Sequence, residues 1–332
     1  MPGPPGSAVE VREVRRSDRD SFSEVILGSY GPFEVLLGLG TRGTAEFAGL
    51  FRPGIWFALQ LLRAFGRAPI RIFVASAGPT VVGTTMMLPW PNSGYILGVG
   101  VRPSHRRRGL AGQMIARAEQ LSAKHGREWA VLDVEEENHP AVTLYRARRY
   151  EPIQRALWLR CATPEVVAAA GRAPASVRIV GKADRKSAAA WCARHVPDSV
   201  TAILPPNPAR LTHLESLGQF PGAVRETWSV GRPNEPVGYL VACWRGTGLP
   251  GILFLPALDP GASHDELVRL IQEGTAWLVA RGCAVVLAAV TDSVGSARPI
   301  LEELGFSPQL STLTMARRLG VGGGAAPRPK GP

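Results

Sequence analysis

Three consecutive arginines, Arg106, Arg107 and Arg108, lead into Gly109 where the apolar run Val99-Gly100-Val101 gives way to a helical pattern. From there Ala111, Met114, Ile115, Ala118 and Leu121 recur at three- and four-residue steps, the period of a helix with one apolar face. The arginines, Gly109, Leu110, Ala111 and Gly112 therefore mark a helix start. Backbone N–H groups lack intrahelical partners there, and the dipole favours negative charge. Such a start binds anions, and a pyrophosphate suits it. Gly109 lets an oxygen reach the backbone with no Cβ in the way. Downstream stands Asn138-His139-Pro140-Ala141-Val142-Thr143-Leu144-Tyr145, preceded by the acidic run Glu135-Glu136-Glu137. Asn138 suits a helix cap, Pro140 is tolerated in a first turn, and Tyr145 lies about two turns on, on the same side as Asn138. A tyrosine phenol carries its proton at neutral pH, so Tyr145 can serve as a general acid. Its other reading is a packing aromatic.

The first stretch reads Arg106-x-x-Gly109-x-Ala111, which resembles the acetyl-CoA loop Gln/Arg-x-x-Gly-x-Gly/Ala of the GNAT N-acetyltransferase superfamily. The second is similar to that superfamily's Asn-x-x-Ala-x-x-Leu-Tyr-x-x-x-Gly-Phe pattern, matching at Asn138, Ala141, Leu144 and Tyr145. It departs at the end, where Arg149 replaces glycine and Tyr150 replaces phenylalanine. An arginine there costs conformational energy if the residue must be left-handed.

The resemblance implies an α/β (α+β) fold, a mixed and mostly antiparallel sheet flanked by helices and splayed at two parallel strands. It implies acetyl-CoA as acyl donor, with the pantetheine arm paired to the backbone of Val99, Gly100 and Val101, much as a peptide adds to a sheet edge. The diphosphate falls to Arg106, Arg107, Arg108, Gly109, Leu110, Ala111 and Gly112, and Asn138 completes the cofactor set. The acceptor is a primary amine, Tyr145 the acid that protonates the CoA thiolate, and Glu135 the base that strand alternation turns inward. Against Glu135 stands the reading of all three glutamates as a solvated loop, or of a water chain as the base. A non-catalytic acyl-CoA-binding regulatory protein is the alternative to an enzyme.

The remaining composition narrows the class. The 332 residues suffice for two ordinary domains, and 45% hydrophobic with 20% charged residues describes a globular chain. Cys161, Cys192, Cys243 and Cys283 lie far apart with no Cys-x-x-Cys pair, which predicts buried thiols, no metal site and a cytoplasmic protein. The Pro/Gly-rich start lacks a signal-peptide core, and the apolar window Ile55–Phe65 is too short to span a bilayer. No membrane partner is expected. The net charge of +11 admits nucleic acid, but no aromatic-interleaved basic strand or recognition-helix signature accompanies it, so none is expected. A homodimer stays open.

Periodicity and turn residues predict strands at Val9–Arg15, Ile70–Ser76, Val81–Trp90, Tyr95–Arg102, Ala130–Val134 and Leu157–Cys161. Helices are predicted from Ser17 (capped with Asp20) to Ser29, and at Trp56–Ala64, Gly109–His125 and Asn138–Arg149. After an Ala/Pro-rich linker the order repeats. The second copy has strands at Val177–Val180, Glu226–Val230, Pro236–Trp244, Gly251–Leu258 and Ala284–Val290, with helices at Arg185–His195, Asp265–Arg281 and Val294–Leu304. This organisation predicts a disordered stretch at 1–8, a catalytic domain at 9–162, a linker at 163–176, a degenerate copy at 177–319 and a disordered tail at 320–332.

Gly305-Phe306 supplies the pair that the first half lacks and sets Leu301 opposite Tyr145. The copy's counterpart of the arginine loop, Pro260-Gly261-Ala262-Ser263-His264-Asp265, has no arginine, and its carboxylate repels pyrophosphate. The segment that the resemblance assigns to the acceptor, Gly31–Arg67, is apolar through Phe33, Leu36, Leu37, Phe47, Leu50, Phe51, Ile55, Trp56 and Phe57, with Glu34 and Glu46 its only acids. A hydrophobic acceptor, a contact with the second domain and plain packing all fit that segment.

Overall fold

The computed structural model describes residues 9–29, 31–38, 49–65, 68–170, 176–209, 211–214, 223–232 and 234–320. The expected disordered stretch at 1–8, residues 321–332 of the expected tail 320–332, residues 171–175 of the linker, and Glu46 and Phe47 lie outside the described residues. The chain opens with β1 (Val9–Glu13), α1 (Arg19–Leu27), α2 (Pro32–Leu36) and α3 (Pro53–Ala64). Then come β2 (Arg71–Ala77), β3 (Thr80–Pro89), β4 (Ser93–Val101), α4 (Leu110–Lys124), β5 (Trp129–Glu135), α5 (His139–Ala147) and β6 (Glu151–Cys161). After α6 (Pro164–Ala169) the order recurs in β7 (Val177–Ile179), α7 (Arg185–His195), α8 (Asp198–Thr201), β8 (Val224–Arg232), β9 (Glu235–Trp244) and β10 (Gly251–Leu258). The chain closes on α9 (His264–Val279), β11 (Val286–Thr291), α10 (Ala297–Glu303) and β12 (Ser307–Arg318).

The chain divides into two compact units. The first comprises Met1–Asp133, His139–Glu151 and Met315–Pro332, the second Val134–Asn138 and Pro152–Thr314. Neither is continuous in sequence. In the first, the strand order is β1-β2-β3-β4-β5, followed by the end of β12. Antiparallel pairing joins β1 to β4, and β4 with β5 is the parallel pair. Phe22, Val25 and Ile26 of α1 pack with Ile72, Val74 and Met86 of the sheet, while Leu110 and Met114 of α4 pack with Ala75 and Val82. The alternation of strand side chains thus supplies both α1 and α4 with an apolar floor. In the second unit the order is β7-β8-β9-β10-β11-β6, then the start of β12, with β10 and β11 the parallel pair and β6 antiparallel to β11.

The fold is therefore α/β (α+β), with mostly antiparallel sheets and one parallel pair in each unit. Several details differ from the sequence expectation. The first helix is not capped by Ser17. Arg12 grips Asp18 with two hydrogen bonds of 2.7 and 2.9 Å and the Arg15 N–H donates to it at 2.6 Å, so a 3₁₀ turn occupies Arg16–Asp18 and α1 starts at Arg19. Burial opposes the charge on Asp18, but these partners outweigh it and hold the carboxyl below its usual range. The short helix α2 lacks a periodic apolar run long enough to announce it. Strand β6 begins at Glu151 rather than Leu157, and β12 follows Phe306 where no strand was expected.

Helix α5 ends in a left-handed turn. Arg149 has φ +65°, its N–H bonds to Arg146 O at 2.8 Å, and the Tyr150 N–H bonds to Tyr145 O at 3.0 Å. This is a Schellman closure built without glycine. Helix α10 closes the same way with Gly305 at φ +85°, where Phe306 N–H bonds to Leu301 O at 2.9 Å. Arg149 is exposed, and a Cβ at Gly305 meets nothing within 4 Å, so strain is the main difference between the residues at each position. Arg149→Gly is expected to stabilise the protein by about 1 kcal/mol and Gly305→Ala to destabilise it by a similar amount. Denaturant unfolding of the two variants measures both signs.

Candidate active site

The first unit's parallel pair comes apart partway. Ser93, Gly94, Tyr95 and Ile96 pair with Trp129, Ala130, Val131 and Leu132, and there the register stops. Beyond it, Leu97 to Val101 of β4 keep only their pairing to β3, which resumes at Thr84–Gly100 and Gly83–Val101. Two residues, Gly98 and Val99, bulge opposite Thr85, with Gly98 at φ +62°. A bulge adds local twist and bends its strand, which here swings β4 away from β5. Just below the fork, the Tyr95 hydroxyl donates to Asp133 at 2.5 Å and fixes the two strands to each other. Leu97, Gly98 and Val99 become half-exposed at the point where the pairing ends. The fork thus offers an edge of backbone to an extended ligand.

Strand β4 runs into Arg102, whose N–H bonds to Val82 O at 2.8 Å, then a 3₁₀ turn at Pro103–His105, then the arginines. Arg107 has φ +61° and Gly109 φ +74°, left-handed residues of the kind that turn successive N–H groups into an anion-binding concavity. Gly109 is the N-cap of α4 and has no side chain to cap it, and no acid occurs in the first turn. Leu110, Ala111 and Gly112 form that first turn, with Leu110 buried beneath it. Arg106, Arg107 and Arg108 are exposed. Arg106 Nε donates to Val101 O at 3.0 Å and Arg108 to Ser104 O at 3.2 Å, which ties both stems to the loop. The turn is basic, uncapped and open, as an anion site requires.

Tyr145 sits on the buried side of α5 at 6% exposure. Burial, and then the negative charge of Glu34 on α2, push its phenol above the ordinary tyrosine range. Glu34 is half-buried, and its carboxylate accepts from the Gly31 N–H at 2.8 Å, which holds it at the start of α2. No signal in the sequence pairs Glu34 with Tyr145, because more than one hundred residues separate them. Asn138 precedes α5 at its N-cap position and is exposed, and its N–H bonds to Glu135 O at 3.0 Å. Glu135 and Glu136 are both half-buried, and Glu136 is engaged with Arg155 at 2.7 Å.

The arginines around Tyr145 divide in role. Arg148 pairs with the buried Glu119 of α4 at 2.6 Å, Arg317 with the same carboxylate at 3.0 Å, and the Tyr150 hydroxyl donates to it at 3.0 Å. The hydroxyl that distinguishes Tyr150 from phenylalanine is thus used. Arg146 and Arg149 are exposed. In the apolar segment between α1 and β2, Phe33, Leu37 and Phe51 are buried, while Ile55 and Phe57 are exposed.

The second unit repeats the backbone with a different lining. Strands β10 and β11 pair from Gly251–Val286 to Phe254–Ala289 and then separate, with a bulge between Phe254 and Ala257. The Asp259 N–H bonds to Val237 O at 2.7 Å, the counterpart of the Arg102 bond. Pro256 stands where the first unit has Val99 and has no N–H to offer a ligand. Every residue of β10 is buried, and Leu255, Val294, Ala297, Ile300 and Leu301 belong to one apolar cluster. Helix α9 is closed by its own side chains. Ser263 and Glu266 form a capping box, and Asp265 and Glu266 place two carboxylates in the first turn.

Among the described residues no group of three or more His, Cys, Asp or Glu is arranged to hold a metal ion, and no helix is long and apolar enough to cross a membrane. All four cysteines are buried free thiols.

Comparison with known proteins agrees with this geometry. The profile of the Acetyltransferase (GNAT) family matches residues 46–149, which hold the fork, the arginine turn and Tyr145. A rice protein (Oryza sativa subsp. japonica), acetyl transferase GW6a, is 33% identical over 185 residues, 52% of this chain. The match spans 42% of that protein's length. Among solved structures, a tandem GNAT protein from the clavulanic acid biosynthesis pathway covers 94% of this chain and 99% of its own at a TM-score of 0.59 and 15% identity. A GCN5-related N-acetyltransferase from Sphaerobacter thermophilus covers 94% and 96% at a TM-score of 0.57 and 12% identity. At such identities these structures speak to fold, and the fold they share with this chain is the tandem one. Residues 46–149 thus resemble the GNAT family in sequence, and the whole chain shares the fold of tandem GNAT structures.

Proposed function

We propose that this chain is an acyltransferase that moves an acetyl group from acetyl-CoA to a primary amine, with the chemistry confined to its N-terminal part, residues 9–162. The observation that carries the reading is the contrast between the two helix starts that follow the forked strands. The first is uncapped, acid-free and lined by Arg106, Arg107 and Arg108, and the second is filled by Glu266 and Asp265. In this reading the backbone of Val99, Gly100 and Val101 holds the pantetheine arm. The N–H groups from Gly109 to Gly112 hold the diphosphate, and Asn138 binds the same ligand.

Attack by the neutral amine on the thioester carbonyl builds a tetrahedral oxyanion, which a backbone N–H of the forked strand stabilises. The C–S bond then breaks, and the departing thiolate takes its proton from Tyr145. A phenol pushed above its ordinary range by burial and Glu34 stays protonated throughout the pH range in which an amine acceptor becomes neutral. Glu135 is the proposed base, taking the proton that the attacking nitrogen must lose.

Tyr145→Phe is expected to lower turnover by about 10²–10⁴-fold and leave acetyl-CoA affinity unchanged, as steady-state kinetics and calorimetry together measure. An equal loss of both assigns Tyr145 to packing. Because its shift is upward, the acid form of Tyr145 persists through pH 10, so wild-type kcat is expected to show no decline there. A descending limb near pH 10 that disappears in Tyr145→Phe contradicts this. Gly109→Glu places bulk and negative charge in the arginine turn and is expected to abolish acetyl-CoA binding, and unchanged affinity removes the loop from the site. Protein that binds acetyl-CoA yet releases no CoA with any member of a broad amine panel is a binding module, not an enzyme.

A further inference from the structure

Helix α3 of the first unit is amphipathic in the reverse sense. Trp56, Leu59, Gln60 and Arg63 line a small cavity with Glu13, Val14 and Arg71, and Arg63 forms an ion pair with Glu13. The polar residues of the helix thus face the protein. The opposite stripe, Gly54, Ala58, Leu61 and Phe65, and its flanks Ile55, Phe57 and Leu62 carry no polar side chain. Phe57 is 70% exposed, Phe65 71% and Leu61 51%, and no residue of the helix is buried. A surface helix ordinarily turns its apolar stripe toward the core. Two phenylalanines and three branched aliphatics exposed to this extent amount to roughly 600 Å². That is at the upper limit of what monomers leave open and close to the ~800 Å² each partner contributes to a stable dimer.

We propose that this face is an interface with a second copy of the same chain, α3 packing antiparallel on α3 about a twofold axis. The stripe is self-complementary in that arrangement and in no parallel one. Its small residues lie in the N-terminal half and its large ones in the C-terminal half. Antiparallel pairing therefore sets Gly54 of one copy against Phe65 of the other, and Ala58 against Leu61. A Cβ added at Gly54 meets nothing within 4 Å, so the space the incoming ring needs is open. A twofold contact also brings each patch onto itself, so the seam carries no charge to repel its own copy. A lipid surface fits less well. Helices that lie on membranes flank the apolar face with lysine and arginine, whereas the helix's one charge, Arg63, is engaged with Glu13 on the other side.

Sedimentation of the full chain across a concentration series tests the proposal and does not depend on any catalytic assignment. A monomer–dimer equilibrium is expected, which Leu61→Asp weakens by about 100-fold or more through burial of an unpaired charge. The far-UV circular dichroism should stay unchanged, since position 61 is exposed. Mixing Ala58→Cys with Leu61→Cys chains under mild oxidation should yield a covalent dimer. The proposal is overturned by a monomer at every concentration, by a dimer that survives Leu61→Asp, or by association only with vesicles of phosphatidylglycerol and phosphatidylcholine.

Discussion

The obligation of backbone N–H and C=O groups to find partners governs this structure at one place above all, the fork where β4 leaves β5 after Ile96 and Leu132. A parallel pair that simply continued would satisfy those groups internally and leave no place for an extended ligand. The bulge at Gly98 and Val99 diverts β4 while keeping its bonds to β3, so half of the strand's hydrogen-bonding capacity is retained and the other edge is exposed. The Tyr95–Asp133 bond sets where the separation begins. The same strand then delivers the chain to Arg106–Gly109 and the start of α4. The two parts of the site, an open strand edge and an uncapped helix terminus, are therefore consecutive in the backbone and cannot drift apart.

The second unit carries the same backbone frame. Its fork, its bulge, the bond at the end of its forked strand and the left-handed turn after its last helix all repeat. What differs is the lining. Pro256 removes a donor, Leu301 stands where the first unit has Tyr145, and Ser263 with Glu266 satisfies the helix start from within. In the first unit the rigid counterpart is the Glu119 carboxylate, which joins α4, the residues after α5 and the final strand through Arg148, Tyr150 and Arg317. Breaking a buried ion pair on one side leaves an uncompensated charge, so such a node resists rearrangement around the helix that carries the arginine turn.

Most elements were legible because each announces itself locally. The spacing of Met114, Ile115, Ala118 and Leu121 specifies α4 whatever lies beside it, and the boundaries of α7 and β10 coincide with the apolar runs that predicted them. The arginine turn and the helix that carries Tyr145 stand out for the same reason, since residue type and spacing within a few turns mark them. The start of α1 was misread because Asp18 answers to Arg12, a partner on the preceding strand rather than in the helix. The influence of Glu34 on Tyr145 was not legible because it is exerted through space, between residues far apart in the chain. The outward face of α3 was invisible too, because periodicity locates an apolar stripe and cannot say whether anything covers it.

The sequence by itself determined most of the elements, their order, the duplication and the side chains of the arginine turn, all of which follow from interactions among residues close in the chain. The tertiary structure alone decided which strands are neighbours. The chain's last strand, β12, lies beside β5, with Leu319 N–H bonded to Glu128 O at 2.7 Å and Glu136 N–H to Ser311 O at 2.9 Å, while β6 pairs with β11. Two units that are each discontinuous in sequence result. Strand pairing is made of backbone bonds that every residue but proline can form, so the sequence specifies that a strand exists more strongly than it specifies its partner. That choice falls to long-range packing.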